Sequence, residues 1–192
     1  MPALIGTSGW QYAHWRPLFY PDGMGTSKWL AFYGQRFATV EVNNAFYRLP
    51  ERATFEKWAS SVPDDFVVAV KASRYLTHVR RLRDPAEPVS RLLSRATGLG
   101  SHLGPFLLQL PPTLQVDVAA LDAALEAFSR HKKVRVAVEP RHPTWFTDEV
   151  RTVLEAHGAA LCLADGGSAD VPFWRTTDWA YVRFHHGRSR PD

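Results

Sequence analysis

Short apolar runs alternate along this chain with longer segments whose apolar residues recur every three or four positions. The runs are Leu4–Ser8, Thr39–Asn43, Phe66–Ser73, Phe106–Leu110, Val134–Glu139, Ala159–Ala164 and Trp179–His185. Several are almost continuously apolar, as in Phe66-Val67-Val68-Ala69-Val70, which suits strands covered on both faces. Between them the spacing predicts helices. Ser27 is the expected cap of one that runs to Phe37, and a second runs from Ala53 to Ser61 ahead of Pro63. Asp84 or Pro88 is expected to open a third, which ends near Gly98 and Gly100. Asp117 caps a fourth, with Val118, Leu121, Leu125 and Phe128 on one stripe, and Thr147 a fifth, which Gly158 ends.

Seven β/α cycles fit either a doubly wound open sheet or a β/α barrel. The segment Gly6-Thr7-Ser8-Gly9-Trp10 lacks the third glycine and the immediate helix of a dinucleotide fingerprint. Polar residues close nearly every run, which favours the barrel. A full barrel takes about 250 residues, whereas this chain has 192. The expected fold is therefore α/β: a single domain over residues 1–192, forming an incomplete TIM-barrel-type parallel β/α barrel without its eighth βα unit.

Composition narrows the picture. Apolar residues make up 45% and charged residues 22%, a globular balance. No apolar run is long enough to span a membrane, and no signal peptide is visible, so a cytoplasmic location is expected. The lone Cys162 lies among apolar neighbours and reads as a small buried hydrophobe. The formal charge is +4, and eighteen of the 23 basic residues are arginine. They are scattered, with Arg80, Arg81 and Arg83 the densest cluster.

Strand alternation then selects candidate chemistry. Residues two apart share a face, which pairs Glu41 with Asn43, Lys71 with Ser73, Glu139 with Arg141, and Arg183 with His185 at the C-terminal ends of their runs. Gln109 and Asp165 close theirs. Below Lys71 the same parity gives Ala69 and Val67, and below Asp165 it gives Leu163 and Leu161. Barrel enzymes build their sites at this end of the strands, so Glu41, Lys71, Glu139, Arg141, Asp165, Arg183 and His185 are expected to line one cavity.

In that cavity Glu139 is the candidate general base, with His185 or His142 as its partner. Lys71, Arg141 and Arg183 are candidate anion ligands, and Glu41 and Asp165 orient them. Loop aromatics, among them Trp10, Tyr12, Trp15, Phe46, Tyr47 and Trp145, either pack loops or offer stacking surface. Trp29, Trp58, Trp174 and Trp179 read as core. Lys71 and the two arginines would repel a cation, so no metal or other cofactor is expected.

Six segments, taken together, resemble the YecE-like family of domains of unknown function (domain of unknown function 72), found in bacteria and archaea. They are Ile5-Gly6-Thr7-Ser8-Gly9-Trp10, Glu41-Val42-Asn43-Asn44-Ala45-Phe46-Tyr47, Val70-Lys71-Ala72-Ser73, Leu108-Gln109-Leu110-Pro111-Pro112, Val138-Glu139-Pro140-Arg141-His142 and Tyr181-Val182-Arg183-Phe184-His185 with Gly187. The resemblance implies a TIM-barrel-type fold and no established reaction. It also implies that the family's C-terminal part, with its asparagine-rich eighth strand, has no counterpart here.

Three functions compete. The first is an enzyme, or an enzyme-like binder, for a small polar anion such as a sugar phosphate or nucleotide derivative, with glycoside hydrolysis by Glu41 and Glu139 as a variant. The second is nucleic-acid binding through Arg80, Arg81, Arg83 and the C-terminal arginines. The third is a protein-partner module, including self-association through an open barrel edge.

Overall fold

The apolar runs do become strands. The structure is a computed structural model that describes residues 3–131, 134–165 and 171–185. Its strands are β1 (Gly6–Ser8), β2 (Thr39–Val42), β3 (Val67–Lys71), β4 (Leu103–Gln109), β5 (Val136–Glu139), β6 (Ala160–Ala164) and β7 (Tyr181–Arg183). They form one seven-stranded sheet in sequential order. The pairings of β1 with β2, β2 with β3, β4 with β5, β5 with β6 and β6 with β7 are parallel. With helices in the connections from β1 through β6, this is an incomplete parallel β/α barrel. The helices are α1 (Trp29–Gly34), α2 (Asn44–Tyr47), α3 (Arg52–Ala59), α4 (Ala86–Ala96), α5 (Val118–Ser129) and α6 (Asp148–Ala156). Among the described residues no helix is long and apolar enough to cross a membrane.

The chain packs as two compact units. One comprises Met1–Ser73 and Arg91–Pro105, the other Arg74–Ser90 and Phe106–Asp192. The first unit holds an aromatic core. Tyr20 stacks on Trp29 at 4.5 Å between ring centroids, and its hydroxyl donates to the Trp10 carbonyl at 2.6 Å. Burial, with the neighbouring Tyr33, pushes the Tyr20 phenol up to about 12. Tyr33 ties β1 to β2: its hydroxyl accepts from the Thr7 amide at 2.8 Å and donates to the Thr39 carbonyl at 3.0 Å. The two strands approach so closely that a Cβ on Gly6 would lie 1.9 Å from the Thr39 carbonyl oxygen, so only glycine fits.

In the second unit α5 presents Leu121, Leu125 and Phe128 to the sheet, and Phe128 meets Phe106 at 5.5 Å. The opposite sheet face carries a cluster of Leu107, Ala137, Ala160 and Cys162. Asp117 caps α5 by accepting from the Ala120 amide at 3.0 Å, and Thr147 caps α6 by accepting from Val150 at 3.4 Å, as their positions predict.

Three local expectations are corrected. Ser27 makes no capping bond; the chain enters through a 3-10 turn over Thr26–Lys28, and α1 ends at Gly34. The third predicted helix, α4, opens between Asp84 and Pro88, because Asp84 has a φ of 44°, outside the extended region a cap occupies. The parity assigned to the sixth strand is reversed. Ala137 pairs with Ala160, and Ala164 with Arg183, so Ala160, Cys162 and Ala164 share the face of Glu139 while Leu161 and Leu163 take the other.

Candidate functional site

Two side-chain groups form at the C-terminal ends of the strands, one in each unit. In the second unit the group is built on Glu139, the last residue of β5, which is only 1% exposed. A buried carboxylate needs donors on its oxygens, and it has three. Gln109, the last residue of β4, donates from Nε2 to Oε1 at 2.9 Å, and Arg141 donates from Nε to the same oxygen at 2.9 Å. Arg183, the last residue of β7, donates from Nη1 to Oε2 at 2.5 Å. Alternation explains the convergence. Gln109 pairs in register with Glu139, and Arg183 lies on the same face as the Ala160 and Ala137 column.

His185 completes the group. Its Nε2 lies 3.0 Å from Arg141 Nη2 and 2.9 Å from Arg183 Nη1. A guanidinium can only donate, so Nε2 accepts and the ring proton sits on Nδ1. That atom is buried without a hydrogen-bond partner, 3.6 Å from Asp165 Oδ1. The same Asp165 oxygen accepts from the His185 backbone amide at 2.5 Å. Burial holds the imidazole below its usual pKa, the Arg183 charge adds to this, and the Glu139 and Asp165 carboxylates act in the opposite direction. The ring is thus a neutral one between two arginines. Exposure rises outward from Glu139, through Arg183 at 11%, to Arg141 at 29%.

In the first unit Ser8 ends β1 in register with Glu41 on β2. Glu41 is buried, and its Oε1 accepts from the Ser8 hydroxyl at 2.6 Å. The Ser8 proton is thereby committed, so its oxygen accepts from Asn43 Nδ2, also at 2.6 Å. This fixes the Asn43 amide orientation and leaves its Oδ1 buried with no donor. The Tyr12 hydroxyl donates to the Ser8 carbonyl, and burial, reinforced by the Glu41 charge, pushes its phenol pKa up. Gly9, at φ 86°, makes this approach feasible, since a Cβ there would lie 2.9 Å from the Tyr12 oxygen.

Beside this group lies an open cavity of about 680 Å³, walled by the segments that follow β1 and β2 and by Thr54 and Trp58 of α3. Trp10 and Trp58 meet edge to face at 5.3 Å, and Tyr47 stands at 82% exposure. Arg95 braces one wall, donating to the Leu49 carbonyl at 3.0 Å and pairing with Glu51 at 2.9 Å.

The predicted residues thus separate by role. Glu139, Arg141, Asp165, Arg183, His185 and Gln109 come together in the second unit, and Glu41 and Asn43 in the first. Trp10 and Tyr47 line the cavity, Trp10 as a buried wall. The Lys71 ammonium lies 4.3 Å from the centre of the Phe46 ring, and Ser73 is half-buried just beyond β3. His142 stands apart from the Glu139 group in its bonding: its Nδ1 accepts from the Thr144 amide at 3.3 Å and so caps the turn Pro143–Trp145. Gly187 and the C-terminal arginines Arg188 and Arg190 lie outside the described residues. Among the described residues no three His, Cys, Asp or Glu side chains gather in a way that could hold a metal ion.

Sequence reasoning missed Ser8, Gln11, Asn44 and Thr54, and it placed in the core Trp58, which is half-buried in the cavity wall. One signal for the last two was present: they are four apart on a helix and so share a face.

The family model described as protein of unknown function DUF72 matches residues 4–192. The chain is 29% identical over 143 residues to the UPF0759 protein YecE of Escherichia coli strain K12, covering 74% of this chain and 49% of YecE. It is 28% identical over 204 residues to the UPF0759 protein YunF of Bacillus subtilis strain 168, covering 97% of this chain and 70% of YunF. The chain therefore spans about half the length of YecE. A crystal structure of a DUF72 family protein from Thermotoga maritima MSB8 is similar at a TM-score of 0.79 and 28% identity, over 95% of this chain and 74% of that one. Another, from Enterococcus faecalis V583, matches at 0.71 and 22% identity over 81% of this chain and 62% of that one, a likeness of fold alone. A match of the family model over nearly the whole length, with the same family's fold, means that this chain belongs to the DUF72 family.

Proposed function

We propose that this protein handles a small polar anion, a sugar phosphate or nucleotide derivative, whose phosphate or carboxylate is held by Arg141 and Arg183. The observation that carries the reading is the convergence of two arginines on the single buried carboxylate of Glu139. Both guanidiniums are held on Glu139, and Arg141 is the more exposed of the two, so it is the one offered to an incoming anion. Guanidinium groups form bidentate bonds to phosphate, the strongest hydrogen bonds available to such a ligand. Glu139 and Gln109 keep the arginines aimed, and Asp165 anchors the backbone of His185. A phosphate that draws Arg141 outward relieves one of the two donors on His185 Nε2. That lone pair then becomes the group positioned to take a proton from the ligand.

Calorimetry with inorganic phosphate, sulfate, sugar phosphates and nucleoside monophosphates tests the reading, with zinc and manganese titrated in parallel. A phosphate ester should bind, and Arg141→Ala should weaken it at least about tenfold in a chain that still folds, because Glu139 keeps its bonds from Arg183 and Gln109. No anion affinity, or tight zinc or manganese binding in its place, would overturn it.

A further inference from the structure

The cavity beyond β1 and β2 has a different chemistry from the arginine group. Its charged lining residues are Arg48 and Glu51, one of each sign, and Glu51 is already held by Arg95. An anion gains little there, and the rest of the wall is largely aromatic and amide. We propose that this cavity binds a neutral saccharide, with one sugar ring laid on Tyr47 and its hydroxyls met by the amides of Gln11, Asn43 and Asn44.

Tyr47 carries the first part of the argument. It ends α2, rests edge to face on Phe46 at 5.1 Å, and leaves its own ring 82% exposed at the cavity. Packing does not account for that exposure. A pyranose presents an apolar C–H face, which an exposed aromatic face can cover while the hydroxyls project sideways.

The amide inventory carries the second part. Asn44 Nδ2 donates to Gln11 Oε1 at 3.3 Å. That bond leaves the Gln11 amide protons and the Asn44 carbonyl oxygen on neighbouring side chains, a donor beside an acceptor. A hydroxyl is both at once, so vicinal hydroxyls satisfy the pair. Asn43, also in the wall, has its amide nitrogen committed to Ser8 and its Oδ1 without a donor. An unmet buried acceptor costs about 1–3 kcal/mol, and a ligand O–H relieves it.

Ring geometry disfavours a nucleobase. A base gains most between parallel aromatic faces, whereas Trp10 and Trp58 cross at 88°. Of the aromatic residues in this wall, Trp10 is buried, Tyr12 and Trp58 are half-buried, and Tyr47 is exposed. At about 680 Å³ the cavity has room for more than one sugar ring.

The experiment follows tryptophan fluorescence, with Trp10 and Trp58 as reporters, and saturation-transfer NMR on the full chain. The probes are methyl glycosides of glucose, galactose, mannose and N-acetylglucosamine, their oligomers up to tetrasaccharides, and nucleosides. At least one saccharide should bind. Tyr47→Ala should weaken it about tenfold, and Tyr47→Phe less than about threefold. Arg141→Ala should leave it unchanged, which separates this proposal from the anion reading. No saccharide binding at millimolar concentrations, nucleoside binding in its place, or saccharide binding indifferent to Tyr47→Ala would each overturn it.

Discussion

Glu41 and Glu139 are the same residue in the same kind of place. Each lies near the C-terminal end of a parallel strand, and both are buried, at 6% and 1% exposure. Different side chains bond to each. Glu41 takes a serine hydroxyl, which passes a hydrogen bond on from an asparagine amide. Glu139 takes two guanidiniums and a glutamine amide. Strand alternation therefore determines where a carboxylate sits, while the side chains on the next strands determine what it can do. The Glu41 group orients neutral dipoles beside an aromatic cavity, whereas the Glu139 group concentrates charge.

Substitutions tell the two groups apart. Glu139→Ala should have the largest effect, removing the shared partner of Arg141 and Arg183. Loss of one partner from a buried pair costs about 3–5 kcal/mol, and the partial exposure of Arg141 favours the lower end. Urea unfolding measures it, and a cost below about 1 kcal/mol would mean that the arginines find water instead. Ser8→Ala should cost less, about 1–2 kcal/mol, because it removes neutral donors and acceptors. If it matched Glu139→Ala, the contrast between the groups would be wrong.

A smaller effect concerns pH. His185 has its pKa lowered by burial in the folded state, so the unfolded chain binds the proton more readily. Its contribution is fully present above the ordinary value of 6.5 and is lost as pH falls from there through the folded value. His185→Gln should flatten that part of the stability–pH curve relative to the parent chain. An unchanged slope would place the imidazole's protonation elsewhere. Smallest of all, Tyr47→Ala should shift the unfolding free energy by no more than about 0.5 kcal/mol, since the ring is exposed.

Much of this was legible in the chain. Asp117 and Thr147 announce their helices because a short oxygen-bearing side chain ahead of an apolar stripe has a local job. Glu139, Arg183 and His185 announce themselves through period-two alternation. What could not be read is set by contacts distant in sequence or by elements too short to have a period. The helix Asn44–Tyr47 is a single turn. The π-type turn Tyr75–Val79 leads into Arg81 and Leu82 at positive φ, which no propensity favours. Asp165 joined the expected group for a different reason from the one alternation gave. It follows the end of β6 and engages His185 through the backbone amide, so its own parity does not decide its place. His142 has an ordinary local capping task that a strand-end position cannot distinguish from a binding one.

Gly6 offers a last lesson, in the language of mutational tolerance. The contact that excludes a Cβ there is to the Thr39 backbone, and the same pairing two residues on sets Ser8 opposite Glu41. A saturation library scored for folded protein would leave column 6 empty of every side chain, alanine included, while column 47 would fill freely. The least chemically endowed residue in the chain thereby fixes the alignment of a hydroxyl with a carboxylate, and its codon is the one from which that alignment has no neighbouring sequence to drift into.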